Sequence, residues 1–267
     1  MNRLLTSLLA LAVLVVGCTS GSRQPEREPD FVLVGVDPNH PPFEYLDSAT
    51  GEAVGFDLEL IALICQANRW RYEVVPTPFQ DLIDALNRGD IDIAISAMTI
   101  TPKRAVLVAF SDPYYLAGQA LVVTAEDTSS SALDDLRGQR VGVVAGTTGE
   151  ELARSADGLL IYRSNNVAQA LSDLAAGDVD AVIADFPTAR VIIAEHPGLE
   201  IAQATLNSEY YGIAVRPGDT LRLQRLNDAL ASLLGGYAYE QLHLKWFGYP
   251  LLDLAVPDSV SAQWPTH

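Results

Sequence analysis

The sequence has few cysteines and few basic residues. Cys18 and Cys65 are the two cysteines among 267 residues, which excludes a framework of several disulfides. Seventeen Lys and Arg residues stand against 34 Asp and Glu residues, giving a formal net charge of −17. Because no Lys/Arg-rich block occurs, binding to a nucleic-acid backbone is excluded as a function.

Motifs for metals, nucleotides and nucleophilic catalysis are also missing. The chain has no G-x-S-x-G and no G-x-G-x-x-G, and the loop "VVAGTTGEE" (143–151) lacks the lysine of a phosphate-binding loop. We therefore expect neither a metal nor a cofactor. The histidines are scattered without the spacing of metal ligands: His40, His196, His243 and His267.

Long apolar runs are absent after the N-terminus. Leu4 to Val16 is apolar, follows Arg3, and is short for a membrane span. It ends in small or apolar residues directly before Cys18, which resembles a bacterial lipoprotein signal with Cys18 as the lipidated residue; an ordinary secretory signal beside a chance cysteine is the alternative. We expect an extracytoplasmic protein that is attached to the membrane only through this lipid.

From Phe31 onward, short β-branched runs alternate with helical periods, which is typical of an α/β fold. The helical pattern after "GFD" predicts Asp57 as an N-terminal cap and places Cys65 in the core. The segment "LNRGDIDIAIS" (86–96) aligns without gaps on "LAAGDVDAVIA" (174–184). Each reads as a helix end, a glycine cap and a strand, so either two similar α/β lobes or a chance similarity of two common units explains the match.

Two similar lobes joined by two crossing strands would leave a cleft between them, where α/β sheets bind ligands. At one strand end, Thr101-Pro102-Lys103-Arg104 reads as a helix start. Cations in a first helical turn oppose the helix dipole, so a bound anion would explain Arg104, whose planar fork suits a carboxylate. The alternative is a solvated surface pair, which is favoured for Lys103.

The aligned strand of the second unit ends in Asp185. A carboxylate facing a closed cleft requires a cation; the alternative is that Asp185 caps the turn "DFPT". A cation from one lobe and an anion from the other would match the two charges of an α-amino acid. The backbone N–H groups and hydroxyls of the loop at Thr147 and Thr148 could bind the same carboxylate.

Seven segments, in this order, resemble the polar-amino-acid family of extracytoplasmic solute-binding proteins over about Phe31 to Gly248. They are "GVDPNHPPFEY", "GFDLELIALI", "SAMTITPKRAVLVAFSDPYY", "DLRGQRVGVVAGTT", "GDVDAVIAD", "YYGIAVRPGD" and "KWFG". The resemblance implies a periplasmic-binding-protein-like α/β fold, two lobes joined by two hinge strands, that closes on one amino acid and delivers it to an ABC permease. It implies no enzymatic activity and a monomer.

The resemblance also implies ligand contacts. Arg104 would bind the carboxylate and Asp185 the α-ammonium, while Asp37 would meet a polar or cationic side chain. The aromatic ring of Phe79 would pack on that side chain. The ligand-binding residues implied are Asp37, His40, Phe79, Ser96, Ala97, Thr99, Arg104, Thr147, Thr148 and Asp185.

The sequence departs from the family at two of these positions. His40 stands where close relatives place an aromatic residue, and Val144 stands where some relatives place a lysine. With Asp37 present and that cation absent, we expect a basic or amide ligand side chain. Because some relatives are dehydratases, a cyclohexadienyl (prephenate/arogenate) dehydratase-like enzyme, with Glu44 or Asp37 as general acid, is the alternative.

The expected organisation of the chain has five parts. They are a signal peptide (1–17), a flexible tether (18–30), lobe 1 (31–121 plus 213–250), lobe 2 (122–212) and a C-terminal extension (251–267).

Overall fold

The computed structural model describes residues 30–249. The expected signal peptide, Cys18, nearly all of the tether and the C-terminal extension lie outside the described residues. The strands are β1 (Phe31–Val36), β2 (Asn39–His40), β3 (Glu44–Leu46), β4 (Ala53–Val54), β5 (Arg71–Pro76), β6 (Ile93–Ala94), β7 (Ala109–Phe110), β8 (Tyr115–Ala117), β9 (Gln119–Thr124), β10 (Arg140–Val144), β11 (Leu160–Ser164), β12 (Ala181–Asp185), β13 (Leu199–Gln203), β14 (Glu209–Tyr211) and β15 (Ala214–Val215).

The helices pack on the faces of the sheets. They are α1 (Phe56–Asn68), α2 (Leu82–Arg88), α3 (Pro102–Ala105), α4 (Thr148–Ser155), α5 (Val167–Ala176), α6 (Phe186–Ile193), α7 (Thr220–Leu233) and α8 (Tyr237–Phe247), with short 3-10 helices at Phe79–Asp81 and Leu133–Leu136. None of the helices between residues 30 and 249 is both long enough and apolar enough to cross a membrane.

Two five-stranded sheets form the two lobes, as predicted. Their strand orders are β5-β1-β6-β15-β7 and β11-β10-β12-β9-β13. In each sheet the first three strands are parallel, and the fourth, which comes from the other end of its lobe's sequence, is antiparallel. The two lobes therefore share one topology, and the α/β fold class predicted from the sequence is confirmed.

The repeat predicted from the sequence is also present in detail. Gly89 and Gly177 end their helices in the left-handed conformation, at φ 79° and 78°. The second aspartate of each Gly-Asp-x-Asp segment accepts a hydrogen bond from a backbone N–H of the equivalent strand of its lobe: Asp92 from β1 at 2.9 Å, and Asp180 from β10 at 2.8 Å. Equivalent residues therefore bond to equivalent strands in the two lobes. A chance similarity of two helix–glycine–strand units would not require these bonds, so two similar lobes explain the match better.

The lobes are joined by the antiparallel pair of β8 and β14, in which Tyr115 lies opposite Tyr211. The chain passes from β8 into β9, a strand of the second sheet, and from β14 back into β15, a strand of the first. Because β9 begins at Gln119, we propose that lobe 1 ends near Gly118 rather than at 121, and that lobe 2 ends near 212.

Residue 57 does not have the predicted role of helix cap. Helix α1 begins at Phe56 after Gly55, and Asp57 is fully buried inside its first turn. Its carboxylate accepts hydrogen bonds from the Ala97 N–H and the Tyr114 hydroxyl, both at 2.8 Å. The prediction was wrong because partners 40 and 57 residues away compete successfully for this carboxylate.

Cys65 lies in the core, as predicted. It is 1% exposed, and burial raises the pKa of its thiol to about 12. The alternating isoleucines of "DIDIAIS" (90–96) would all lie on one face of a regular strand, but Ile93 and Ile95 pack into one core cluster and Ile91 into another. Both faces of this strand are therefore covered, as in other parallel sheets.

Candidate functional site

One cavity between the lobes is lined by all ten residues that the resemblance implied, from Asp37 to Asp185. The cavity and its opening together contain about 590 Å³ of empty space, part of which is open solvent. Most of these residues follow the carboxyl ends of parallel strands, which is where α/β sheets bind ligands. The cavity is also lined by Asn39, Glu44, Gln119, Val144, Asn165, Asn166, Val167, Ile183 and Ala184.

Arg104 reaches from the first lobe to the second. Thr101 caps helix α3, as predicted, by accepting a hydrogen bond from the Arg104 N–H. The guanidinium donates to the Thr99 carbonyl oxygen at 2.9 Å and, across the cleft, to the Gly146 carbonyl oxygen at 3.2 Å. It also lies over the Phe79 ring, 5.1 Å from its centroid. This geometry replaces the surface-pair interpretation of Arg104, because the side chain faces the cavity.

Burial lowers the pKa of Arg104 from its usual value, and the nearby carboxylates of Glu209, Glu151 and Asp185 oppose that shift. Lys103 instead forms an exposed ion pair with Glu151, at 2.7 Å. The surface interpretation therefore holds for Lys103. Among the described residues that line the cavity, Arg104 is the one with a guanidinium or ammonium group.

Asp185 lies across the cavity at the end of β12. Its side chain makes no cap hydrogen bond to helix α6, so the turn-cap alternative does not hold. Oδ1 accepts a hydrogen bond from Gln119 Nε2 at 2.5 Å. Oδ2 lies 3.0 Å from His40 Nε2, although the two atoms are not aligned as a hydrogen bond. His40 therefore reaches Asp185 from the opposite lobe instead of serving only as an aromatic surface.

Asp37, Ser96 and Phe79 are tied together on the first lobe. The Asp37 N–H donates to Ser96 Oγ at 3.0 Å, and the Asp37 carboxylate accepts the Phe79 N–H, also at 3.0 Å. Asn39 Nδ2 donates to the same carboxylate at 2.6 Å. These bonds hold one carboxylate and one aromatic ring at the same wall of the cavity.

Glu44 forms a buried carboxyl pair with Asp57 beneath that wall. Glu44 is 0% exposed, and its Oε1 accepts a hydrogen bond from Ser96 Oγ at 2.8 Å. Glu44 Oε2 and Asp57 Oδ1 are buried without another donor. Burial, followed by the charge of Asp57, raises the pKa of Glu44 well above its usual value. Since two adjacent buried carboxylates cannot both be ionised, Glu44 keeps its proton and donates it to Asp57.

Ala97 follows β6 in an unusual backbone conformation, with φ at 45°. Its N–H is held by the Asp57 carboxylate at 2.8 Å. A left-handed conformation is rare for a residue with a Cβ and costs on the order of 1 kcal/mol. The buried carboxylate therefore fixes the turn that brings Ser96, Ala97 and Thr99 to the cavity.

The second lobe contributes the N-terminus of α4. Thr147 caps this helix by accepting a hydrogen bond from the Glu150 N–H, and its hydroxyl donates to the Val144 carbonyl oxygen at 2.8 Å. Thr148 is the first helical residue. Because helix N-termini favour anions, this end of α4 and Arg104 present positive potential to the same part of the cavity.

Five polar residues of the site region were not predicted from the sequence: Asn39, Gln119, Asn165, Asn166 and Glu209. Gln119 and Glu209 stand in the apolar segments around β8 and β14, the two strands that join the lobes. In the sequence, both residues look like ordinary strand residues. A signal was available for Asn165, because it follows the carboxyl end of β11 as the other site residues follow their strands. Glu209 was detectable only as a charge at the start of the buried run of β14 and β15.

Residues 32–249 match the bacterial extracellular solute-binding proteins, family 3. The chain belongs to this family. The probable histidine-binding protein of Neisseria gonorrhoeae is 32% identical over 92% of this chain and 96% of its own length. The ABC transporter arginine-binding protein 1 of Escherichia coli K12 is 32% identical over 90% of this chain and 98% of its own length.

Solved structures agree with this assignment. An ancestral arginine-binding protein bound to arginine is 37% identical, with a TM-score of 0.79, and the match covers 82% of this chain and 99% of that one. An ancestral arginine-binding protein bound to glutamine is also 37% identical, with a TM-score of 0.79, over 84% of this chain and 100% of that one. The two-lobed solute-binding architecture is therefore established for this chain.

Proposed function

We propose that this protein binds a cationic L-amino acid outside the cytoplasmic membrane and delivers it to an ABC permease. The observation that carries the proposal is that Arg104 and Asp185, from different lobes, face one cavity. The relatives named for histidine and arginine support an amino acid with a basic side chain. The protein itself performs no chemistry on the ligand in this proposal.

The ligand carboxylate would bind at Arg104 and the N-terminus of α4. A guanidinium has five N–H donors, and two of its hydrogen bonds go to carbonyl oxygens, so donors remain for a carboxylate. The α-ammonium would bind at Asp185. Its positive charge would offset the cost of burying the Asp185 carboxylate, which has Gln119 and His40 as its side-chain neighbours. Contacts to both lobes would then stabilise the closed form over any open one.

The lining charges favour a basic ligand side chain. The carboxylates of Asp37 and Asp185 line the cavity, together with the protonated Glu44, against the single guanidinium of Arg104 among the described residues. Val144 occupies a position where a lysine would supply a second cation. The ligand side chain would pass over the Phe79 ring toward Asp37, where a cation gains both cation–π and ionic contacts.

A thermal-shift screen with the twenty amino acids and ornithine tests this proposal. A ligand at 100 times its Kd stabilises the folded protein by about 2.7 kcal/mol, which corresponds to a rise in Tm of about 5–10 °C for a protein of this size. We expect this rise with L-arginine, L-lysine, L-ornithine or L-histidine and none with L-glutamate. A response confined to acidic or apolar amino acids would overturn the proposed specificity.

The dehydratase-like alternative is less well supported by the geometry. Glu44 has the raised pKa that a general acid needs. However, its Oε1 is taken by Ser96, and its Oε2 is buried and meets Asp57. The acidic proton is therefore engaged by Asp57. Incubation with prephenate or arogenate and an absorbance scan tests the alternative directly, and product formation lost in Glu44→Gln would establish it.

We further propose that the mature protein is a monomer attached to the membrane by a lipid on Cys18. The family is extracellular, and Cys18 follows an apolar run that resembles a lipoprotein signal. Metabolic labelling with a clickable fatty acid should mark the wild type and not Cys18→Ala. Labelling of neither protein, with both secreted, would favour an ordinary secretory signal.

A further inference from the structure

Glu209 is a buried carboxylate at the point where the two lobes meet. It lies at the start of hinge strand β14 and is 4% exposed. Its Oε2 accepts hydrogen bonds from Thr99 Oγ1 of the first lobe, at 2.7 Å, and from Thr148 Oγ1 of the second, at 2.8 Å. Its Oε1 accepts one from Asn207 Nδ2 at 2.9 Å. An ionised carboxylate, which only accepts, satisfies these donors.

The direction of these hydrogen bonds decides what the cavity presents to a ligand. Each threonine hydroxyl has one hydrogen and two lone pairs. Because Glu209 takes the hydrogen of Thr99 and that of Thr148, both hydroxyls are left with lone pairs, and both residues line the cavity. The Thr148 hydroxyl uses part of this capacity to accept a hydrogen bond from Gln119 Nε2, at 3.3 Å. Within residues 30–249, the Thr99 hydroxyl donates to Glu209 and accepts no hydrogen bond.

Asp185 belongs to the same network. Gln119 Nε2 donates to Asp185 Oδ1 and lies 3.3 Å from Glu209 Oε2. One amide group therefore stands between two carboxylates. Burial and the charge of Asp185 raise the pKa of Glu209, so a cation bound nearby would relieve the repulsion between these carboxylates.

We propose that Glu209 is a positioning residue for the α-ammonium group: it turns the hydroxyls of Thr99 and Thr148 so that a bound ammonium meets oxygen lone pairs beside Asp185. This inference rests on the proposed binding of an α-amino acid and deepens it. Glu209 does not line the cavity itself, so it acts through the two threonines and not by direct contact.

Glu209→Gln tests the inference because it preserves shape and removes acceptor capacity. The amide NH2 of glutamine would donate to one hydroxyl and turn that hydroxyl's hydrogen toward the ammonium. Isothermal titration with L-arginine and with 5-guanidinopentanoate, which lacks only the α-amino group, separates the two ends of the ligand. We expect L-arginine binding to weaken by at least about tenfold, the size of one lost hydrogen bond to a charged group, and binding of the analogue to change less than about twofold.

Lys103→Gln is the matched control. It removes another contact between the lobes, the Lys103–Glu151 ion pair at 2.7 Å, which is exposed. We expect it to change both affinities equally and little. If Glu209→Gln weakens both ligands by the same factor, Glu209 only joins the lobes, and the inference is overturned.

A second variant covers the case in which Glu209→Gln does not fold. Thr99→Val is close in shape to the wild type and removes the hydroxyl that Glu209 orients. It should weaken L-arginine selectively, and Thr99→Ser should restore most of the affinity; equal loss with both ligands would contradict the inference.

The two proposals fail differently. If the wild type binds another α-amino acid and no cationic one, the proposed specificity is wrong, and the same experiment with that amino acid and its des-amino analogue still tests Glu209. If the wild type binds no α-amino acid, both proposals are overturned.

Discussion

The buried pair of Glu44 and Asp57 makes a specific prediction about stability and pH. The folded-state pKa of Glu44 is raised well above its ordinary value of 4.5, first by burial and then by Asp57. Between 4.5 and that raised pKa, the native state holds a proton that the unfolded chain has released. Stability from this group is therefore fully present below pH 4.5 and is lost as the pH rises through the folded-state pKa.

The size of the effect follows from linkage. One extra proton bound by the native state gives a slope of about −1.4 kcal/mol per pH unit in the free energy of unfolding. Glu44→Gln should remove this contribution, because its amide can donate to Asp57 Oδ1 and accept from Ser96 Oγ as protonated Glu44 does. Differences between wild type and variant cancel the contributions of ionisable groups distant from this pair. Asp57 does not cancel, because its own raised pKa is coupled to Glu44.

The assay is urea unfolding of both proteins at intervals from pH 4.5 to 8. We expect the variant to become progressively more stable than the wild type as the pH rises, by up to about 1.4 kcal/mol per unit. Asp47→Asn is a control without a slope in this range: backbone N–H donors from Thr50 and Ala49 lower the pKa of this exposed carboxyl below its ordinary value of 3.8, so its contribution changes only at lower pH. Parallel stability curves for wild type and Glu44→Gln would refute the shared-proton interpretation.

Three further predictions concern the site and its support. Arg104→Ala should weaken binding of the best ligand by about 2–5 kcal/mol, because the ligand carboxylate would lose its buried partner. Calorimetry should show this as a roughly 30- to 4,000-fold rise in Kd. A loss below about 0.5 kcal/mol would remove Arg104 from the site. Ala97→Gly should stabilise the protein by up to about 1 kcal/mol in urea unfolding, because glycine tolerates φ of 45°; destabilisation would show that no strain is stored there. Cys65 should react with a thiol reagent only on unfolding, because it is buried and its pKa is raised to about 12; fast reaction of the native protein would contradict its placement in the core.

Much of the fold followed from local patterns. Glycine caps, alternating strands and the repeated Gly-Asp-x-Asp segment are local signals, and they predicted two equivalent lobes correctly. Asp57 failed as a cap because its partners, Ala97 and Tyr114, are distant in sequence. A capping preference of about 1 kcal/mol is easily overridden by two buried hydrogen bonds to a charged group.

The site was predictable where charge and strand end coincide. Arg104 and Asp185 stood out because each is a charge that follows an apolar run. Glu209 and Gln119 did not, because their roles depend on the pairing of β8 with β14 and on the approach of the lobes. That geometry joins segments about 90 residues apart, and no single segment of sequence contains it.

The central claim is that one amino acid is held at its carboxylate by Arg104 and at its α-ammonium by Asp185. A crystal structure of the mature protein with L-arginine tests it most directly. We expect the ligand carboxylate within hydrogen-bond distance of the Arg104 guanidinium and the α-ammonium within hydrogen-bond distance of the Asp185 carboxylate. A ligand bound in the reverse orientation, or away from either residue, would contradict the account.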